Sequence, residues 1–276
     1  MVTEPQRTRL AVLGRPIAHS RSPRLHGAAY RALGLDWTYE RHEVREGGLA
    51  AFVDALDAHW RGLSLTMPLK PEALRLASTV SDVAEETGAV NTLLLGGSEG
   101  PAGYNTDVYG IIRALRDRGV DAVDHVVVLG AGATARSVVS AVRRMGAGTI
   151  TAAARRPEAA GALADYARGL ALEAVAVDLA RGIPTGADLV VNTIPGGAAA
   201  GFAFDESLTR TTLLEIAYDP WPSPLVERWA GPVVSGLDML LHQAVAQVRI
   251  FVMGDPHEAL PGEPGVLAAM RAVLAP

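Results

Sequence analysis

The sequence predicts an α/β fold in two domains, and three observations predict it. Short apolar runs alternate with stretches whose apolar residues recur at helical spacing, the pattern of a sheet covered by helices. One run, residues 125–129, is wholly apolar after its histidine, as in a parallel strand buried on both faces. The chain has 276 residues, more than one core of ordinary size, so two domains of about 100 to 150 residues each are expected.

In the first hundred residues, 9–14 read as a strand. Ser22 then suits an N-cap and Pro23 the first helical position. Residues 37–43 suit a second strand, and Leu49, Phe52, Val53 and Leu56 follow at helical spacing. Residues 63–66 read as a third strand, stopped by Pro68, which opens a helix through Leu74. Residues 89–95 close the region as a further strand, in a sheet expected to be mostly parallel.

From Asp107 to about Arg118 a helix places Val108, Ile111, Ile112 and Leu115 on one face. Strands are expected at 125–130, 149–154, 174–177, 188–192, 211–216 and 232–235, which makes a second βαβ domain. From Gly236 the chain is helical again and is expected to pack back on the first domain. The expected division is 1–106, 107–236 and 237–276.

Composition narrows the function. Apolar residues make up 49% and charged residues 20%, as in folded globular chains. No apolar run approaches the length of a membrane span, and the polar N-terminus lacks a signal-peptide core, so nothing marks the chain for a membrane or for export. A net charge of -5 lacks the basic excess of a nucleic-acid binder. With no Cys, disulfides, zinc–thiolate sites and thiol nucleophiles are excluded. The seven His show no H-x-x-x-H or H-x-H spacing, which argues against zinc. There is no G-x-S-x-G elbow and no glycine loop ending in G-K-[ST]. His19 and His26 read as local hydrogen bonders. Of 25 basic residues, 24 are Arg and one is Lys, at position 70; the only Asn are Asn91, Asn105 and Asn192. Codon bias explains the skew, but Arg stays charged in proteins whereas a Lys ammonium gives up its proton, so the surviving Lys70 is a candidate for proton chemistry.

The run at 125–129 leads into Gly130-Ala131-Gly132-Ala133-Thr134-Ala135, a G-x-G-x-x-A turn that opens a helix with Val138, Val139 and Val142 inward. That strand–turn–helix context marks a Rossmann-type doubly wound dinucleotide-binding domain. Gly130 allows the tight turn, Gly132 lets backbone N–H groups approach a pyrophosphate, and Ala135 permits close helix–sheet packing. The helix N-terminus adds positive potential. About 20 residues on, an NAD site places an acid. Here stand Arg155 and Arg156, with no acid before Glu158, which favours the 2'-phosphate of NADP. The plainer alternative is a solvated pair at a helix start.

The third strand ends in Ser64-Leu65-Thr66-Met67-Pro68-Leu69-Lys70, and ligands of open α/β sheets bind at such strand ends. In the first turn of a helix the Lys70 cation is disfavoured and calls for an acid. Asp107 is the candidate, although Asp at a helix start is also an ordinary cap. Ser20 and Ser22 flank Arg21, and alternation along an extended segment aims both at one polyol ligand; caps are the other reading. Thr66 and Asn91 add neutral polar groups near strand ends.

The blocks from Ala18 to His26, from Gly62 to Lys70, Ala89-Val90-Asn91-Thr92, and Asn105-Thr106-Asp107 resemble the signatures of the shikimate dehydrogenase family. So do the glycine turn at 130–135, the block from Glu215 to Pro220, and that from Gly236 to Ala244. They run in one order along nearly the whole chain and look most like actinobacterial members. The resemblance implies a cytoplasmic enzyme, a monomer or homodimer, that reversibly reduces 3-dehydroshikimate to shikimate with NADPH. It makes Lys70 and Asp107 the acid–base pair, with Ser20, Ser22, Thr66, Asn91 and Gln243 on the substrate and Tyr218 nearby. Whether Lys70 transfers the proton or chiefly stabilises the alkoxide stays open. The domains are expected to close over the substrate.

Departures are Gly27 and Ser64, where the family often has Asn, Ala154-Arg155-Arg156 where it commonly has Asn-Arg-Thr, and a missing Trp after Gln243. The alternatives are a quinate/shikimate dehydrogenase using NAD, an aminoshikimate relative, and a non-catalytic ligand-sensing paralogue.

Overall fold

The computed structural model describes residues 7–183, 185–195, 201–202 and 204–274. Most of the N-terminal segment read above for export signals, residues 1–6, lies outside them. The chain divides into two compact units, 1–106 with 243–276, and 107–242. Among the described residues no helix is long and apolar enough to cross a membrane.

In the first unit β1 (Thr8–Gly14), α1 (Ser22–Ala32), β2 (Trp37–Glu43), α2 (Leu49–Asp54), β3 (Trp60–Leu65) and α3 (Lys70–Leu76) follow in βα alternation. Then come β4 (Thr79–Val80), α4 (Asp82–Thr87), β5 (Thr92–Leu94) and β6 (Ala102–Tyr104). The sheet order is β2-β1-β3-β5-β6-β4. β1 lies next to the edge strand β2, is buried through Leu10 to Leu13, and pairs in parallel with β2 and β3. Leu13, Leu49, Leu63, Leu65, Leu69 and Leu93 share one core cluster.

This sheet is mostly parallel, as expected, with one reversed strand: β5 runs antiparallel to both β3 and β6. The loop from Leu94 to Ala102 is too short for a crossover helix, so β6 returns as a hairpin partner. β4 and β6 are two and three residues long, below the length at which alternation is readable, and went unpredicted. Two helix starts also differ. Ser22 is the first residue of α1, and the Ser22 N–H donates to Ser20 Oγ at 3.3 Å. α3 begins at Lys70 with Pro71 in its first turn, and Pro68 lies before it.

In the second unit α5 (Asp107–Arg116) precedes β7 (His125–Leu129), α6 (Ala133–Arg144), β8 (Thr149–Ala154), α7 (Pro157–Gly169) and β9 (Glu173–Asp178). β10 (Leu189–Asn192), α8 (Glu206–Thr209), β11 (Thr212–Glu215) and β12 (Val233–Ser235) follow; α9 (Gly236–Met253) spans the division at 242/243, and α10 (Glu263–Ala272) belongs to the first unit. The sheet order is β12-β11-β10-β7-β8-β9, and every pairing is parallel. Counted along the chain, this is the 3-2-1-4-5-6 order of doubly wound dinucleotide-binding sheets, with its reversal between β7 and β10. Val126 to Leu129 and Leu189 to Val191 are fully buried, which is why these strands read as continuous apolar runs.

Candidate active site

In the first unit, backbone hydrogen bonds gather the ends of three strands. Thr66 N–H donates to Leu13 O at 2.9 Å, and Leu65 N–H to Asn91 O at 2.8 Å. Val90 N–H donates to Lys70 O at 3.1 Å. Thr66, Lys70 and Asn91 are thereby brought together at the ends of β1, β3 and β5. Lys70 is 9% exposed, a strong restriction for an ammonium. Glu72, in the same helical turn, is held by the N–H groups of Gly47 and Leu49, each at 3.0 Å.

Asn91 is fastened on several sides. Its Oδ1 accepts from Thr106 N–H at 2.9 Å and Thr92 Oγ1 at 2.8 Å, and its Nδ2 donates to Thr106 Oγ1 at 2.9 Å. Thr106 Oγ1 also reaches Gln243 Oε1 at 3.4 Å, so Gln243 of α9 joins the group. Asn105 is committed to the scaffold, donating to Thr87 Oγ1 and Ala89 O. Ser20 and Ser22 lie after β1 and are bound to each other. Arg21 between them has helical dihedrals, so a turn positions the two serines and the alternation argued from an extended segment does not apply.

Sequence reasoning missed Tyr39 and Gln247. Gln247 stands one turn beyond Gln243 in an apolar stretch of α9 and is 2% exposed. A glutamine in such a stretch, four residues after another, was the available signal. Its Oε1 receives Ser64 Oγ at 2.9 Å and meets His26 Nε2 at 3.2 Å. Tyr39 O–H donates to Ser64 Oγ at 2.6 Å, and the His26 ring stacks on Tyr39 with centroids 3.9 Å apart. Burial pushes the His26 imidazole down to about 3, against the Gln247 hydrogen bond that raises it, so the ring is neutral.

In the second unit Gly130 has φ +99°, and a Cβ there would collide with Thr193 Oγ1. Thr193 N–H and Oγ1 both donate to Leu129 O at 2.8 Å, closing the turn from the β10 side. Gly132 is the N-cap of α6, and a Cβ there would meet nothing within 4 Å. Ala131, Ala133 and Thr134 are partly exposed around it, while Ala135 is fully buried against the sheet. The first turn of α6 carries no acid. Arg155 and Arg156 follow the end of β8, both exposed, with Arg156 the N-cap of α7. Open backbone at a 12-residue helix start with two exposed guanidiniums fits a dinucleotide bearing an extra phosphate.

At the ends of β10 and β11, Asn192 Nδ2 donates to both oxygens of Glu215, at 2.9 and 3.0 Å. Ala217 N–H and Ser223 Oγ also donate to this buried carboxylate, whose pKa burial raises. Tyr218 follows three residues after β11 and is half-buried. Asp107 is the first residue of α5 and is buried.

The parallel sheet order, the glycine turn and the arginine pair define a dinucleotide-binding α/β protein, carrying a second unit with its own polar site. Residues 12–93 match the model of the shikimate dehydrogenase substrate binding domain. The chain belongs to the shikimate dehydrogenase family. It is 35% identical over 260 residues to the shikimate dehydrogenase (NADP(+)) of Methanothermobacter thermautotrophicus, across 89% of this chain and 91% of that one. A shikimate 5-dehydrogenase from Mycobacterium fortuitum superposes with a TM-score of 0.80 and 41% identity, covering 97% of this chain and 99% of that one. The shikimate 5-dehydrogenase of Thermus thermophilus, in complex with NADP(H) and shikimate, gives 0.80 and 31%, covering 96% and 99%.

Proposed function

We propose that this chain catalyses the reversible NADPH-dependent reduction of 3-dehydroshikimate to shikimate, a step of chorismate and aromatic amino-acid biosynthesis. The observation that carries the reading is the chain's one lysine, buried and tied through Val90 to the segment that bears Asn91. Relatives of 35% and 41% identity bearing the shikimate dehydrogenase name support it.

NADP(H), when bound, supplies or takes up the hydride. Gly130, Ala131, Gly132, Ala133, Thr134 and Ala135 would hold its pyrophosphate, and Arg155 and Arg156 its 2'-phosphate. The protein's own work is at the substrate oxygen. Lys70 Nζ donates to the carbonyl oxygen as negative charge develops there, and in the reverse direction takes the proton of the hydroxyl. The Asp107 carboxylate offsets the ammonium charge and orients it. Ser20, Ser22, Thr66, Asn91 and Gln243, with Tyr218, bind the ring hydroxyls and carboxylate. Small soluble reactants support a cytoplasmic enzyme whose partners are this substrate and NADP(H).

The test is a spectrophotometric assay of purified protein with shikimate or quinate and with NADP or NAD. Turnover of shikimate with NADP is expected. No turnover of shikimate with either coenzyme would sink the reading, and a preference for NAD of about tenfold or more would reverse the cofactor assignment.

A further inference from the structure

The segment after β11 leaves the sheet and returns within a few residues, and one buried carboxylate holds both of its feet. Residues 219–222 are exposed, whereas Glu215 is fully buried and Ser223 is 2% exposed. At the near foot Ala217 N–H donates to Glu215 Oε1 at 3.1 Å, and at the far foot Ser223 Oγ donates to Oε2 at 3.2 Å. The Ser223 hydroxyl is aimed there because its oxygen receives Val226 N–H at 3.2 Å. Asn192 fixes the carboxylate from a third side. Ile194 N–H, which only donates, meets the Asn192 amide at 3.1 Å, so that atom is Oδ1, and Nδ2 is left to donate to both Glu215 oxygens.

Between the feet stand Tyr218, Asp219, Pro220, Trp221 and Pro222. The two prolines have no N–H, so this excursion cannot be laced by a ladder of its own, and the anchors at its base decide where it stands. It departs from the C-terminal end of β11, beside β10, on the edge where open parallel sheets bind ligands. Tyr218 is the first residue past the near foot.

We propose that Glu215 and Ser223 are positioning residues for Tyr218: by pinning both feet of the excursion they hold Tyr218 for the substrate, and so contribute to substrate affinity rather than to the hydride step. This deepens the dehydrogenase reading and rests on the assignment of Tyr218 to the substrate. Asn192 leads into Thr193, which closes the Gly130 turn, so a change at Glu215 reaches the coenzyme side as well. Ser223→Ala removes the hydroxyl of the far foot and leaves Asn192 and Ala217 on the carboxylate.

The test measures steady-state kinetics of Ser223→Ala and Glu215→Gln, each alone and in a Tyr218→Phe background. Ser223→Ala is expected to raise the KM for shikimate about tenfold, with kcat and the KM for NADP within about twofold of wild type. Glu215→Gln keeps the shape but turns one accepting oxygen into a donor among donors, and is expected to raise the same KM at least as much. In the Tyr218→Phe background Ser223→Ala is expected to have no further effect on that KM, because it acts through Tyr218. Ser223→Ala decides the matter if Glu215→Gln does not fold. An unchanged KM in Ser223→Ala, or an equal rise with and without the Tyr218 hydroxyl, would overturn the proposal and leave the Tyr218 assignment standing. If Tyr218→Phe by itself leaves the KM for shikimate unchanged, the assignment falls and the proposal with it.

Discussion

Lys70 and His26 show opposite uses of burial at the scale of one residue. Lys70 keeps a polar group buried at the start of α3, and the proposed mechanism asks its amine to meet one oxygen atom. Arg at this position remains a cation, but it spreads the charge over a planar fork and does not exchange a proton. Lys70→Arg is expected to lower kcat at least about a hundredfold while the KM for shikimate changes little; activity within a few-fold of wild type would show that the amine is dispensable. His26 is neutral because burial lowers its pKa from 6.5 to about 3. Between these values the unfolded chain binds a proton that the folded chain refuses, so stability falls as pH drops from about 6.5 towards 3. Urea unfolding across that range is expected to show this slope, and His26→Gln to flatten it. Equal slopes in both proteins would assign the pH dependence to other groups.

At the scale of elements, one buried carboxylate ties the ends of the paired strands β10 and β11 in the second unit. Glu215 accepts from Asn192, Ala217 and Ser223, so Glu215→Ala leaves several buried donors unmatched. The expected loss is about 2–3 kcal/mol in chemical denaturation, with hydrogen exchange accelerated in β10 and β11. A loss below about 0.5 kcal/mol would mean that water replaces the carboxylate. The turn after β8 carries the coenzyme prediction. Arg155→Ala is expected to raise the KM for NADPH about tenfold with little change in thermal stability, as for loss of one charge-assisted contact to phosphate. An unchanged KM would transfer that contact to Arg156.

At the scale of the whole molecule, the two units were unequally legible. In the second unit β7, β8 and β10 are buried on both faces, and such strands leave continuous apolar runs that need no partner to be recognised. Its glycine turn was legible for a related reason: Gly130 stands where a Cβ has no room, and Gly132 where one would fill the space left open. In the first unit β1, β2 and β3 were readable, but β4 and β6 were not, because strands of two or three residues exist through their pairings alone. The antiparallel turn of β5 was hidden for the same reason. Lys70, Asn91 and Thr66 could be singled out because scarcity and strand-end position are properties of the linear chain.

Tyr39 and Gln247 were not found, since each is an ordinary polar residue until the fold brings it to Ser64, 25 and 183 positions away. The sequence by itself determined the α/β class, the dinucleotide turn followed by its arginine pair, and the scarcity that singles out Lys70. These are local: they depend on periodicity, on backbone room at one glycine, and on residue type. Only the tertiary structure decided which polar groups share a buried site and which way their amides face. A hydrogen bond's direction is set by the one neighbour that can only donate or only accept, and those neighbours, Thr106 N–H and Asn91 C=O, are backbone groups placed by the fold.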